Sequence, residues 1–272
     1  MGPIVLMTDF GTEDGYVGIM KGVIEGILPG ATVIDLSHDL PAQSILAGAL
    51  TLQRAVSYFP AGSVFVCVVD PGVGTKRRSI AAKLGDHFYV GPDNGLLTLW
   101  LDACEQADDV VEIVHLDQPQ YWLPKLSNSF HGRDVYAPTG AHLASGVALT
   151  ALGTPIVDPV CIEIPVPQPT NRGWIGHILH IDHFGNLATN IERKHLIAFA
   201  EDIDTGIKKV RVRYGEYSIL GIQATFGNLP EGTLTAIIDS AGRLSLTVVN
   251  GSARDYLKAE IGDNVWVITR EL

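Results

Sequence analysis

Short, almost unbroken apolar runs at residues 3–7, 32–36, 63–69 and 87–91 punctuate the first 150 residues of this chain. Between them, apolar positions recur every three or four residues. Runs of this length, uninterrupted by polar alternation, belong to strands buried on both faces, and the wider spacing belongs to amphipathic helices. Tyr16, Ile19, Met20, Val23, Ile24 and Ile27 follow the helical spacing behind Asp14, which reads as an N-cap, and Pro29-Gly30 stops the run. Further helices are predicted over 42–58, 96–104 and 134–144. This order of elements predicts an α/β domain with a mostly parallel sheet covered on both faces.

The rhythm changes near residue 154. Five prolines fall between Thr154 and Pro169, the composition of a linker or extended crossing segment. The domains are therefore expected over 1–160 and 170–272, with the proline-rich linker at about 154–169. Beyond it come short strand-like runs at 174–181, 210–214, 233–238, 243–249 and 264–268. Asp239-Ser240-Ala241-Gly242 has hairpin-turn chemistry between two of them. A smaller, antiparallel, β-barrel-like C-terminal domain fits this pattern.

Composition narrows the partners. With 46% apolar and 18% charged residues, the 272-residue chain is of the soluble globular class. A net charge of −11 and the lack of a basic run argue against phosphate-backbone binding, so no nucleic-acid partner is expected. No apolar stretch is long enough for a membrane helix, and no basic leader with an apolar core precedes the first strand; a cytoplasmic chain with no membrane partner is expected. Cys67, Cys104 and Cys161 are widely spaced and form no CxxC pair, so buried free thiols are expected rather than disulfides or a metal site.

Three of the apolar runs end at an acid with glycine close behind: Asp9-Phe10-Gly11, Asp70-Pro71-Gly72 and Asp93-Asn94-Gly95. Ligands of open α/β sheets bind beyond the carboxyl ends of the strands, so these acids are expected to share one crevice. Asp70, Arg77 and His131 are candidates for a water-activating or proton-handling set. Taken singly, they also fit a turn former, a surface charge beside Lys76 and Arg78, and a loop histidine. Asp9 suits the two hydroxyls of a ribose, or an Asx turn. The run Asp182-His183-Phe184-Gly185-Asn186 suits a heterocycle and an ammonium group, or a polar turn. Gly72-Val73-Gly74 matches neither phosphate-binding glycine pattern.

Five blocks carry a resemblance across essentially the whole chain: MTDFGTEDGYVG (7–18), VVDPGVGTKRR (68–78), VGPDNGLLT (90–98), SFHGRD (129–134) and IDHFGNLATNI (181–191). In order and spacing they resemble the S-adenosylmethionine hydroxide adenosyltransferases, the water-using relatives of fluorinase and chlorinase. The resemblance implies attack of water or hydroxide on ribose C5′ of S-adenosyl-L-methionine, giving adenosine and methionine. It also implies a homotrimer with sites shared between subunits, and no metal or other cofactor. The catalytic set falls on Asp70, Arg77 and His131, with positive Arg77 and His131 stabilising hydroxide while Asp70 orients them. Asp9 matches the acid on the ribose diol, Asp182 the acid facing the methionine ammonium, and Asn186 the amide reading adenine. Phe226 resembles the aromatic packed on the base, and Ser240 a contact to the methionine carboxylate. The halogenating relatives carry tyrosine at the position of Asp70 and serine at that of Gly132, which disfavours halide here. The chain departs from the family pattern at Asp239, usually asparagine, and at Val249-Asn250-Gly251-Ser252.

Two other classes remain open on the residues. Asp9, Asp14, Asp70 and His131 are also the donor types of a metal-dependent, nucleoside-hydrolase-like enzyme. An adenosyl-ligand sensor without turnover is the third reading.

Overall fold

A computed structural model describes residues 2–199 and 207–269. The chain divides into two compact units, Met1–Glu163 and Ile164–Leu272.

In the first unit, strands β1 (Ile4–Thr8), β2 (Val33–Ser37), β3 (Val64–Val68), β4 (Ser79–Leu84), β5 (His87–Pro92), β6 (Val111–Leu116) and β7 (Gly153–Ile156) form one sheet in the order β2-β1-β3-β5-β4-β6-β7. The expected parallel sheet is its β2-β1-β3-β5 half. The β4, β6 and β7 strands extend it in antiparallel fashion. Strand alternation sends Ile4, Leu6, Val64 and Val66 to one face and Val5, Met7, Phe65 and Cys67 to the other. The first face packs on helices α1 (Tyr16–Ile27) and α4 (Ala137–Ala144), through Met20, Ile24 and Ala141. The second packs on α2 (Ile45–Ala55) and α3 (Thr98–Ala107), through Leu52, Trp100 and Cys104. Burial on both faces is why β1 and β3 are continuously apolar.

Three local expectations change. Asp14 does not cap α1: Gly15, in the left-handed region at φ 74°, occupies that position without a side-chain cap. The proline-rich segment begins inside the sheet, because Thr154 and Pro155 belong to edge strand β7, where a missing N–H is tolerated. Cys67 and Cys104 are buried, but Cys161 is exposed.

The second unit is an antiparallel sheet of β8 (Gln168–Thr170), β9 (Gly173–Ile181), β10 (Leu187–Glu192), β11 (Ile207–Tyr214), β12 (Tyr217–Ile222), β13 (Leu234–Ile238), β14 (Arg243–Val248) and β15 (Asn264–Thr269). Its path runs β12-β11-β15-β9-β10-β14-β13, with β8 beside β9. The ends approach where Gln223 N donates to Ala236 O at 2.7 Å, so the sheet is nearly closed, as the barrel-like expectation requires. Ile178, Leu187, Val210, Leu244 and Val265 fill its interior.

Candidate active site

In the first unit, topology puts the candidate residues where the sequence pattern points. From β1 the chain moves to β2 on one side, then crosses to β3 on the other, so the strand order reverses between β1 and β3. Such a switch point opens a crevice at the strands' carboxyl ends. Thr8 and Val68 are paired in register, and Asp9 and Asp70 follow them on these adjacent strands.

The side chains of Asp70, Arg77 and His131 meet there. Arg77 Nε donates to Asp70 Oδ1 at 2.8 Å, and Nη2 donates to Asp70 Oδ2. The Nη2 group also lies 2.9 Å from His131 Nδ1. Both members of the ion pair are largely buried, with 4% of the Asp70 and 11% of the Arg77 side chain exposed. Burial disfavours the charged guanidinium, but the bonds to Asp70 outweigh it and raise the pKa, so Arg77 stays charged. A guanidinium only donates, so His131 Nδ1 is the acceptor and the ring carries its proton on Nε2. Burial first, and the charge of Arg77 second, hold His131 below the ordinary imidazole value. This geometry favours a neutral imidazole over the positive His131 that the resemblance implies, because the ring accepts from a cation. The order of contact is carboxylate, guanidinium, imidazole, with Arg77 in the middle.

Local structure explains the meeting. The 70–77 loop approaches the loop before His131 so closely that a Cβ on Gly74 would collide with the Asn128 carbonyl, and Gly74 is left-handed at φ 74°. His131 immediately precedes a single π turn, Gly132–Tyr136, in which Ala137 N reaches back to Gly132 O. Such turns recur at functional sites because they re-aim side chains. Buried Asp134 anchors the preceding loop, accepting from Ser127 N at 2.6 Å and from Arg133 Nε at 2.6 Å. Phe10, Tyr16 and Phe130 pack edge to face, with ring centres 5.1 to 6.0 Å apart, beside this turn.

Two participants escaped sequence reasoning. Ser79 Oγ accepts from Arg77 Nη1 at 2.8 Å and lies 3.2 Å from the hydroxyl of Tyr136. Tyr136 O–H in turn donates to Asp70 Oδ2 at 3.5 Å. Their spacings were the available signal: Ser79 follows Arg77 by two, and Tyr136 follows His131 by five.

The remaining candidates divide. Asp9 Oδ2 accepts from Gln43 N at 2.7 Å, so the carboxylate spans to the next loop instead of closing an Asx turn. Asp93 is not part of the crevice chemistry. It is 4% exposed, and its oxygens accept from Arg78 Nε at 2.7 Å and Val160 N at 2.7 Å. Arg78 Nη1 continues to Asp158 Oδ1 at 2.8 Å, so Asp93 fastens the segment 158–160 to its own unit.

In the second unit, Asn186 and Phe226 line one cavity of about 430 Å³ with Phe184, Thr247, Val248, Asn250 and Gly251. Asp182 braces its rim: Phe184 N and Asn186 N donate to Oδ1, both at 2.9 Å, and Asn186 Nδ2 donates to Oδ2 at 2.8 Å. Ser240 is at the exposed tip of the β13–β14 hairpin, outside the lining of that cavity. Asp239 holds this turn, accepting from Ala241 N, Arg243 N and Ser245 Oγ. Among the described residues, no group of three or more His, Cys, Asp or Glu side chains is placed to hold a metal ion. No helix among them is long and apolar enough to cross a membrane.

Two family models match the chain. The SAM hydroxide adenosyltransferase N-terminal domain matches residues 4–153, and the corresponding C-terminal domain matches 176–266. The chain belongs to the SAM hydroxide adenosyltransferase family. Within that family it is 41% identical to the (R)-S-adenosyl-L-methionine hydrolase of Thermus thermophilus, over 96% of this chain and 98% of that one. Identity to the (R)-S-adenosyl-L-methionine hydrolase of Salinispora arenicola is 38%, over 97% of each. The fold matches the crystal structure of an uncharacterized conserved protein from Thermotoga maritima with a TM-score of 0.88 at 34% identity, covering 97% of this chain and 99% of that one.

Proposed function

We propose that this protein hydrolyses S-adenosyl-L-methionine, with the oxygen of water attacking ribose C5′ to release adenosine and L-methionine. Family membership over both units supports the substrate, and one observation supports the chemistry: the buried Asp70–Arg77–His131 chain at the β1–β3 switch point. With Nδ1 accepting from Arg77, the imidazole has its donor on Nε2, which faces the Ser127 backbone and is proposed to reach the water as well. A donor stabilises hydroxide more than neutral water, so a water held there loses its proton to solvent more readily. The hydroxide oxygen then forms the bond to C5′ as the C5′–S bond breaks, and its electron pair leaves with sulfur as a neutral thioether. No acid is needed at the departing sulfur. The protein's task is to align nucleophile and carbon and to exclude competing water.

Asp9 is assigned to the ribose hydroxyls and Asn186 and Phe226 to adenine. Asp182 is assigned to the methionine ammonium and Ser240 to its carboxylate. The R epimer named for the curated relatives is the proposed substrate. A homotrimer with sites shared between subunits, a cytoplasmic location and independence of added metal or other cofactor complete the proposal. Chromatography of products after exhaustive chelation tests the reaction: adenosine and methionine are expected. Release of adenine or methylthioadenosine, or activity restored only by Zn²⁺ or Mg²⁺, would refute it. Sedimentation velocity tests the trimer.

A further inference from the structure

We propose that Ser79 and Tyr136 are positioning residues that fix the plane of the Arg77 guanidinium and, through it, the tautomer of His131. The kinetic part of this inference rests on the hydrolase reading; the tautomer part does not.

The directions of the hydrogen bonds are forced by chemistry. A guanidinium has five N–H donors and no acceptor, whereas an ionised carboxylate only accepts. Arg77 therefore donates through Nε and Nη2 to Asp70, and through Nη1 to Ser79 Oγ at 2.8 Å. Having accepted, Ser79 has its own proton to give, and the Tyr136 oxygen lies 3.2 Å away. Tyr136 in turn donates to Asp70 Oδ2 at 3.5 Å. The result is a closed ring of Asp70, Arg77, Ser79 and Tyr136 in which two donor paths leave Arg77 and both end on Asp70, one directly and one through Ser79 and Tyr136. Burial, with the nearby charge of Asp70, pushes the Tyr136 phenol well above its ordinary value, so it remains a donor.

Asp70 alone grips only one edge of the guanidinium and leaves it free to tilt about that edge. Ser79 catches the opposite nitrogen, and the Tyr136 ring lies 5.6 Å from the guanidinium carbon. With the plane fixed, the second Nη2 hydrogen points at His131 Nδ1, 2.9 Å away. That bond leaves the imidazole proton on Nε2. The charged groups acting on His131 are Arg77, Asp70 and Asp134, the last paired with Arg133, and the Ser127 backbone also faces it. Asp70 and Arg77 belong to the ring, and Arg77 is the one that contacts the imidazole.

The test uses the full-length protein labelled with ¹⁵N-histidine, with long-range ¹H–¹⁵N correlation spectra reading each tautomer. His131 is assigned by its loss in His131→Gln. The unmodified protein is expected to show His131 protonated on Nε2 and titrating below the ordinary imidazole value. Tyr136→Phe and Ser79→Ala should each convert it to a mixture of tautomers and move its midpoint up toward 6.5, the ordinary value. They should also lower kcat by about three- to tenfold, less than the full worth of a hydrogen bond to a charged group because both residues act on the reaction only through Arg77, with KM little changed. Ser79→Thr, which keeps the hydroxyl, should restore all three readings. A merely structural role would lower stability without moving the tautomer. An Nδ1-protonated His131 in the unmodified protein, or variants with unchanged tautomer and midpoint, would overturn the proposal. If the tautomer responds as expected but no adenosine forms from S-adenosyl-L-methionine, the positioning role stands and the hydrolase reading fails.

Discussion

Replacing Asp70 with asparagine probes the centre of the site, because it removes the carboxylate's charge while preserving its shape. In the native protein Asp70 accepts two hydrogen bonds from a guanidinium of which only 11% is exposed. An asparagine amide has one acceptor oxygen, and its NH₂ would face an N–H of Arg77, donor against donor. Hydrogen bonds to charged groups are each worth about 1.5–3 kcal/mol. Breaking a buried pair by removing one partner typically costs about 3–5 kcal/mol, since the other charge is left uncompensated. Asp70→Asn should therefore destabilise the protein by about 3–5 kcal/mol. Arg77→Gln, which strands the carboxylate, should cost a similar amount. The double substitution should cost at least about 1–2 kcal/mol less than the sum, because neither charge is then left alone. Urea unfolding followed by circular dichroism gives the three values, with the transition of each unit fitted separately. A loss below about 1 kcal/mol for Asp70→Asn, or strict additivity in the double variant, would refute the buried ion pair.

Titration of His131 by NMR should give a midpoint below the ordinary value of about 6.5, because burial and Arg77 oppose its protonation. The unfolded chain then takes up this proton first, so the stability linked to His131 is complete above about pH 6.5 and falls as pH drops through that value; a midpoint above 6.5 would contradict the geometry. Asp9→Ala should raise KM for S-adenosyl-L-methionine roughly ten- to hundredfold with kcat nearly unchanged, matching about 1.5–3 kcal/mol for a lost charged hydrogen bond. Steady-state kinetics with isothermal titration decides it, and unchanged binding with lost turnover would reverse the roles assigned to Asp9 and Asp70.

What was legible in the sequence follows from the range of the forces involved. β1 and β3 are buried on both faces, so their apolar runs announce themselves, and the acids after them mark the strand ends. Lys83 in β4 and Glu112 and His115 in β6 interrupt the apolar runs, so the antiparallel extension of the sheet has a weaker sequence signal. Asp70 and Asp93 follow similar apolar runs and look alike in sequence. They part company because Arg78 and Val160, the latter 67 positions away, close on Asp93. The charge of His131 is hidden from local sequence for the same reason: its determining neighbour, Arg77, is 54 positions away. Local pattern located the site, whereas protonation depended on contacts that only the folded chain makes.

Charge balance connects this geometry to the choice of nucleophile. Asp70 and Arg77 cancel and His131 is neutral, so the cluster has no net charge within a chain of −11. A sulfonium cation is therefore not repelled from the crevice. A halide ion, in contrast, would give up strong hydration to enter a site with no net positive charge, whereas the proposed nucleophile enters as neutral water and loses its proton only beside the bound sulfonium. Steric room points the same way. A Cβ on Gly132 would lie 3.2 Å from Met20 Sδ and 3.3 Å from carbons of both Phe10 and Phe130, so a serine at this position would fit only if those side chains gave by a few tenths of an ångström. High concentrations of fluoride or chloride should accordingly leave adenosine as the only nucleoside product, with no halogenated nucleoside detected by chromatography and mass spectrometry. Formation of a 5′-halo product at a rate comparable with adenosine would show that the cluster presents net positive charge to the nucleophile, and that the neutral state assigned to His131 is wrong.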